Sequence, residues 1–149
     1  MKTTPFKLLI LVAFFLFSGC VERVGYYTDG EKQIISLICD ITWATEKKTY
    51  ENGNTSQSTW NFKEDGTYTR TDITTDKDGN EKKSNIYGRW SFGDPGFHTL
   101  YFGERHYWDI DVLNQDKFAF YDRNGEFGDL YMTREYTVFT PYQEQDEQQ

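Results

Sequence analysis

From residue 41 onward, turn chemistry punctuates the chain so often that no connection has room for a crossover helix. Glu51-Asn52-Gly53-Asn54, Glu64-Asp65-Gly66, Asp76-Lys77-Asp78-Gly79-Asn80, Asp94-Pro95-Gly96, residues 103–105, residues 114–116 and Asn124-Gly125-Glu126 each divide one short segment from the next. Between them the side chains alternate with period two. Trp43, Trp60 and Phe62, Tyr68, then Ile86, Gly88, Trp90 and Phe92 mark the first half. Leu100 and Phe102, Trp108, Ile110 and Val112, Phe118 and Phe120, and finally Leu130 and Met132 mark the second. Parallel pairing needs long crossovers, so the pattern predicts an all-β, antiparallel meander of about eight strands. Eight strands with one apolar face remove their edges by closing into an up-and-down barrel, and a two-sheet sandwich is the other solution. Ahead of them, residues 29–40 place Ile34, Leu37 and Ile38 at helical spacing and predict a short N-terminal helix.

Register gives this reading a test. Across a three-residue loop at 103–105, Leu100 faces Trp108, Phe102 faces His106 and His98 faces Ile110. Across the next hairpin, Phe120 faces Leu130 and Phe118 faces Met132. Aliphatic side chains are few while aromatics make up 18% of the chain, so Trp43, Trp60, Trp90 and Trp108 must supply much of the core. Large aromatics either fill a small barrel or line a cavity in it. In the second case Trp43, Trp60, Tyr68, Trp90, Phe102 and Trp108 are the residues to hold a small hydrophobic ligand. Tyr50, Tyr87, Tyr101, Tyr107, Tyr121 and Tyr131 fall opposite core positions or at strand ends and form a candidate contact patch for a protein partner.

The first twenty residues are of another kind. Lys2 and Lys7 precede an unbroken apolar run over residues 8–17, which as a helix spans about 15 Å, half a bilayer core. A basic flank, a short apolar run and small residues make the layout of a secretory signal. The run ends Phe17-Ser18-Gly19-Cys20 and resembles the lipobox of bacterial lipoproteins, in which a lipidated Cys becomes the new N-terminus; Phe17 stands where Leu is usual. The resemblance implies a signal peptide over residues 1–19, lipidation at Cys20, and a membrane anchor of several acyl chains. Residues 20–28 then form a tether, 29–136 the barrel domain and 137–149 a polar tail. An envelope location follows, at the outer membrane, with either face open.

The remaining motifs resemble the lipocalin-like domains of small Gram-negative envelope lipoproteins. A short helix precedes the strand carrying Trp43, and a hairpin reads Trp60-Asn-Phe62-Lys-Glu-Asp65-Gly66-Thr67-Tyr68. Gly88-Arg-Trp90-Ser-Phe92 follows, then Tyr107-Trp-Asp-Ile110-Asp-Val-Leu113 and Asp116-Lys-Phe118-Ala-Phe120. This likeness spans residues 29–136. It implies an eight-stranded up-and-down barrel with a helix near one mouth, and it implies no particular ligand.

Several activities find no support in the residues. With 24 acidic against 16 basic side chains, the chain lacks the basic face that nucleic acid requires. Removing Lys2 and Lys7 makes the balance still more acidic. Once Cys20 is lipidated, Cys39 is left without a disulfide partner, and within Ile34-Ile35-Ser36-Leu37-Ile38-Cys39 it reads as a small buried hydrophobe. Across a three-residue loop His98 and His106 share a face but stand about 13 Å apart along the strands, too far for one zinc ion, and a two-residue loop would place them on opposite faces. Asp76-Lys-Asp78-Gly79-Asn80-Glu81 lacks the spacing of a calcium loop, and Asp109 and Asp111 alternate outward rather than converging in a cleft. The reading is therefore a noncatalytic envelope binding module that needs no metal or cofactor. Its partner is a small hydrophobic ligand inside the barrel or an envelope protein on the outer tyrosines.

Overall fold

The computed structural model describes residues 29–144. The signal-like segment, Cys20 and the tether lie outside the described residues, as does the end of the polar tail. Helix α1 (Asp29–Cys39) is amphipathic and brings Ile35 and Ile38 to buried positions, with Ile34 and Cys39 packed beside the core. It ends where Asp40 N–H donates to Ser36 O at 2.8 Å and the Trp43 indole donates to Leu37 O at 3.1 Å. That second bond ties the helix to the first strand. Among the described residues no helix is long and apolar enough to cross a membrane.

Ten strands follow: β1 (Trp43–Ala44), β2 (Lys48–Thr49), β3 (Thr55–Phe62), β4 (Thr67–Thr75), β5 (Glu81–Arg89), β6 (Ser91–Phe92), β7 (Thr99–Gly103), β8 (His106–Leu113), β9 (Phe118–Asn124) and β10 (Thr133–Pro141). All pairs are antiparallel, so the expected meander is observed. The order is β5-β4-β3-β1-β10-β9-β8-β7-β6, with β2 also on β3. β1 therefore closes the first strands onto the last one, through Trp43 opposite both Trp60 and Pro141.

The expected closed eight-stranded barrel needs correction. The sheet has ten strands and its ladder stays open between β5 and β6. These two edges are separated in sequence only by Trp90, so the sheet is rolled until its ends nearly meet. Closure fails because β5, with nine residues, meets only the two residues of β6 and the five of β7. The Asp94-Pro95-Gly96 break fixes that shortage, since Asp94 takes the amides of Gly96, His98 and Thr99 at 3.0, 2.9 and 2.8 Å and so builds a turn in place of a strand.

Two hairpins also differ from expectation. Leu100 does face Trp108, but the β7–β8 tip has two residues, Glu104 and Arg105, both at positive φ, as a twisted hairpin turn requires. Gly103 opposes His106, and Phe102 is bulged out of the ladder. After β9 the chain makes a longer loop than expected. Asp129 caps Glu126 N–H at 2.7 Å and pairs with Arg105, and Gly125 and Gly128 supply positive φ. The last strand is thus β10, not a strand over Leu130 and Met132. Phe120 pairs with Thr137 and Phe118 with Phe139. Leu130 is left 86% exposed, and the domain boundary expected at residue 136 falls inside β10.

The inward side chains form one aromatic core. Trp43, Trp60, Phe62, Trp90, Trp108, Phe118, Phe120 and Phe139 are buried together with Ile38 and Leu100. Phe120 stacks on Trp108 at 4.1 Å and meets Phe139 edge-on at 5.1 Å. Truncating it removes both contacts and leaves a void that rigid strands on either side cannot collapse. Phe120→Ala should lower unfolding free energy by about 3–5 kcal/mol. A urea titration should show the midpoint falling at constant slope.

Candidate functional site

The six aromatics singled out from the sequence are brought together, but packed ring against ring. Trp60 lies 4.7 Å from Trp108, 5.1 Å from Tyr68 and 6.2 Å from Phe102. Trp90 contacts Phe62 and Phe92, and Trp43 contacts Phe118. Three of the four indoles have their N–H occupied: Trp43 by Leu37 O, Trp90 by Lys63 O at 3.0 Å and Trp108 by Asp122 Oδ2 at 3.2 Å. In this interior the large rings fill space, as the filled-core alternative expects.

Toward one end of the strands the inward face turns polar. On β3 and β4 the inward series Phe62-Trp60-Ser58 lies against Tyr68-Arg70-Asp72. On β8 and β9, Ile110-Trp108-His106 lies against Phe120-Asp122-Asn124, and the antiparallel register puts both changes at the same end. Arg70 lies 5.6 Å above the Trp60 ring and pairs with Asp72 at 2.8 Å, while Ser58 donates to Asp72 at 2.6 Å. Opposite them, Asp122 bridges His106 Nε2 at 2.8 Å and the Trp108 indole. Partial burial pushes the Asp72 carboxyl up, but the bonds from Ser58 and Arg70 outweigh it and hold its pKa below the usual value. The edge-on Trp60–Trp108 contact is thus buried beneath a charged, hydrogen-bonded rim on two sides.

The rim was not singled out in the sequence, although its signal is there. Arg70 and Asp72 share the parity of Tyr68, and Asp122 shares that of Phe118 and Phe120, so their place on the inward face follows from alternation. Two open concavities lie elsewhere. One of about 1180 Å³ is lined by Lys47, Gln57, Ile73, Lys83, Asp116 and Tyr142, and one of about 560 Å³ by Tyr50, Asn54, Thr74 and Lys82 among others. None of the six aromatics lines either.

On the convex face Tyr101, Tyr107 and Tyr121 fall into one band, while Tyr50, Tyr87 and Tyr131 stand apart from it in β-edge and loop positions. The band is organised by Arg123, which is only 4% exposed although charged. Its guanidinium lies 4.1 Å over Tyr107 and 4.2 Å over Phe127, and bonds both Asp109 oxygens at 2.8 and 3.0 Å. The Asp109 bond raises the Arg123 pKa, so the charge is permanent. Arg134 lies 3.8 Å over Tyr121, which packs on Tyr136, and Tyr136 donates to Asp111 at 2.9 Å. Arg123, Phe127 and Tyr136 escaped the sequence reading, because nothing local says that an outward arginine will be covered by a loop.

The remaining polar groups form separate pairs. His98 sits on the Asp94 turn and His106 on Asp122. Asp76 spends both oxygens on Asp78 and Asn80 within its own hairpin tip. Among the described residues no group of three or more His, Cys, Asp or Glu is placed to hold a metal ion. The Cys39 thiol is pushed up to about 12 by burial first, then by Glu64, Asp40 and Asp65, so it stays protonated and a poor nucleophile at neutral pH. Comparison of the chain with protein-family models, with curated proteins and with solved structures finds no match.

The band yields a stability test. Arg123→Ala should cost about 3–5 kcal/mol, because it leaves Asp109 half-buried with one cation fewer and uncovers two rings. Arg123→Lys should recover only part of the loss, since an ammonium cannot bridge both carboxylate oxygens. Chemical denaturation of the three chains side by side checks the order.

Proposed function

We propose that the protein is a lipid-anchored, noncatalytic binding module of a Gram-negative envelope that takes a small hydrophobic ligand at the open end of its rolled sheet. The observation that carries this is the pair of indoles, Trp60 and Trp108, in contact at 4.7 Å beneath a rim of Arg70, Asp72, Asp122 and His106. Both indoles are buried in the free protein, so a ligand reaches them by displacing the rim side chains above them. The chemistry fits a flat apolar body with a polar or charged end.

The lipocalin-like reading belongs with this proposal. Counted as single bent strands, β1 with β2 and β5 with β6 bring the meander to eight, with α1 packed at Trp43. The anchor is supported by the Gly19-Cys20 end of the signal-like segment, and the outer membrane by the absence of an obvious inner-membrane retention residue in Val21-Glu22-Arg23. A second reading keeps the envelope location and moves the contact to the convex band of Tyr101, Tyr107 and Tyr121, where rigid aromatics and two arginines offer a surface for an envelope protein.

Titrating the protein with a panel of aromatic and amphiphilic small molecules should produce a saturable change in tryptophan emission. Asp122→Asn should weaken it severalfold by unsettling the Trp108 indole. No saturable change across the panel would sink the ligand reading, and recovery of a stoichiometric protein partner by crosslinking would favour the convex band. The anchor is tested separately. Cys20→Ala should leave the precursor uncleaved or release the product from membranes, and unchanged processing and retention would refute lipidation.

A further inference from the structure

The hydrogen bonds of the inward face leave a distinct remainder. Of the four indoles only that of Trp60 donates to no described residue, whereas Trp43, Trp90 and Trp108 each have a partner. Trp60 is 9% exposed, and no buried side-chain polar atom among the described residues lacks a partner, so that small exposure includes Nε1. The half-buried Tyr68 is in the same state, since its hydroxyl makes no hydrogen bond to a described residue and therefore reaches the surface. Arg70 donates only through Nε, to Asp72 Oδ1 at 2.8 Å, and its two terminal nitrogens bond no described residue.

These three side chains lie side by side. Trp60 faces Arg70 in the β3–β4 ladder, and Tyr68 is the next inward position along β4. The Arg70 guanidinium is 5.6 Å from the Trp60 ring centre, and the Trp60 and Tyr68 rings are 5.1 Å apart. Gly88 lets the phenol lie across β5, because a Cβ there would stand 2.4 Å from the Tyr68 hydroxyl. The carboxylates nearby are largely engaged. Asp122 has both oxygens occupied, by His106 and Trp108. Asp72 keeps Oδ2 free, but Arg70 stands between it and Tyr68 along β4. What remains around Trp60 is a set of donors, one of them cationic.

Taking ligand binding at the open end of the rolled sheet as given, we propose that the ligand's polar end is a carboxylate. It is held by the terminal nitrogens of Arg70, the Trp60 indole N–H and the Tyr68 hydroxyl. Asp72 grips the guanidinium at Nε and leaves its two-pronged end open, where parallel N–H bonds match the two oxygens of a carboxylate. A single cation beside two acids balances one negative charge and not the roughly two of a phosphate monoester. An amine would bring further donors to a set whose one acceptor is the phenol oxygen. Ile86, 45% exposed and opposite Arg70 on β5, gives the apolar body its first surface beside the rim.

Equilibrium dialysis of the full chain at neutral pH against naphthoate, methyl naphthoate, naphthylmethylamine and naphthyl phosphate reads the preference. Naphthoate should bind about tenfold more tightly than its ester, and more tightly than the amine or the phosphate. Arg70→Gln should bring the preference over the ester close to unity while circular dichroism stays unchanged. A second readout leaves the cation in place. Of the four indole N–H resonances, the one that Trp60→Phe removes should shift on adding naphthoate and exchange more slowly with water. Equal binding of naphthoate and its ester overturns the carboxylate assignment but leaves the ligand reading standing, and so does tighter binding of the amine or the phosphate. Saturable naphthoate binding with an unmoved Trp60 resonance, or a preference that survives Arg70→Gln, has the same force. If none of the four compounds binds, the ligand reading falls and the assignment falls with it.

Discussion

The contact on which the structure depends is Trp108 against Trp60. β8 and β3 are not neighbours in the sheet; β1, β10 and β9 stand between them. Two indoles 4.7 Å apart across that separation require the sheet to be rolled, and the rest of the core is built on that curl. Phe120 stacks beneath Trp108, Phe139 meets both indoles, and Phe102 wedges against both from the bulge before the β7–β8 tip. A flat sheet would leave these rings in water. The rolled one removes them from it with few aliphatic side chains.

Once the rings fill the middle, what remains open is decided by where they stop. On β3, β4, β8 and β9 the inward series turns polar at the same end, and Asp72 and Asp122 take up hydroxyl, guanidinium, imidazole and indole donors there. The polar rim costs little because no buried side-chain polar atom among the described residues lacks a partner. An interior that is dry at one end and wet at the other offers a ligand two chemistries within one strand length. The same roll strands β5, whose inward positions carry Lys82 and Ser84 where a closed barrel would need apolar side chains.

Much of this was legible in local pattern. Alternation and turn residues locate the strands through β9, and Leu100 opposite Trp108 follows from the spacing alone. What was not legible depended on side chains meeting from distant places. Leu130 and Met132 alternate as plausibly as Thr137 and Phe139. The choice between them is made by Asp129, which pairs with Arg105 in another hairpin and stretches the loop. Likewise Arg123 reads as an ordinary surface charge until Phe127 from that loop lies over it. The bulge at Phe102 is hidden because two- and three-residue tips have the same composition, and only the left-handed backbone of Glu104 and Arg105 separates them.

The acidic excess acquires a structural meaning that charge counting does not give. Asp65 takes the Thr67 amide and hydroxyl, Asp76 binds Asp78 and Asn80, and Asp94 organises residues 96–99. All three carboxyls are held below their usual pKa. Hydrogen bonds from the turn dominate for Asp65 and Asp76, and at Asp94 such bonds outweigh partial burial. Stability from such groups is present above the unfolded carboxyl pKa, near 3.9, and is lost as pH falls through the lowered folded value. These acids therefore act as local turn-builders at any pH well above that value. Hairpins held by their own carboxylates need less from the core, so the meander tolerates an unclosed seam.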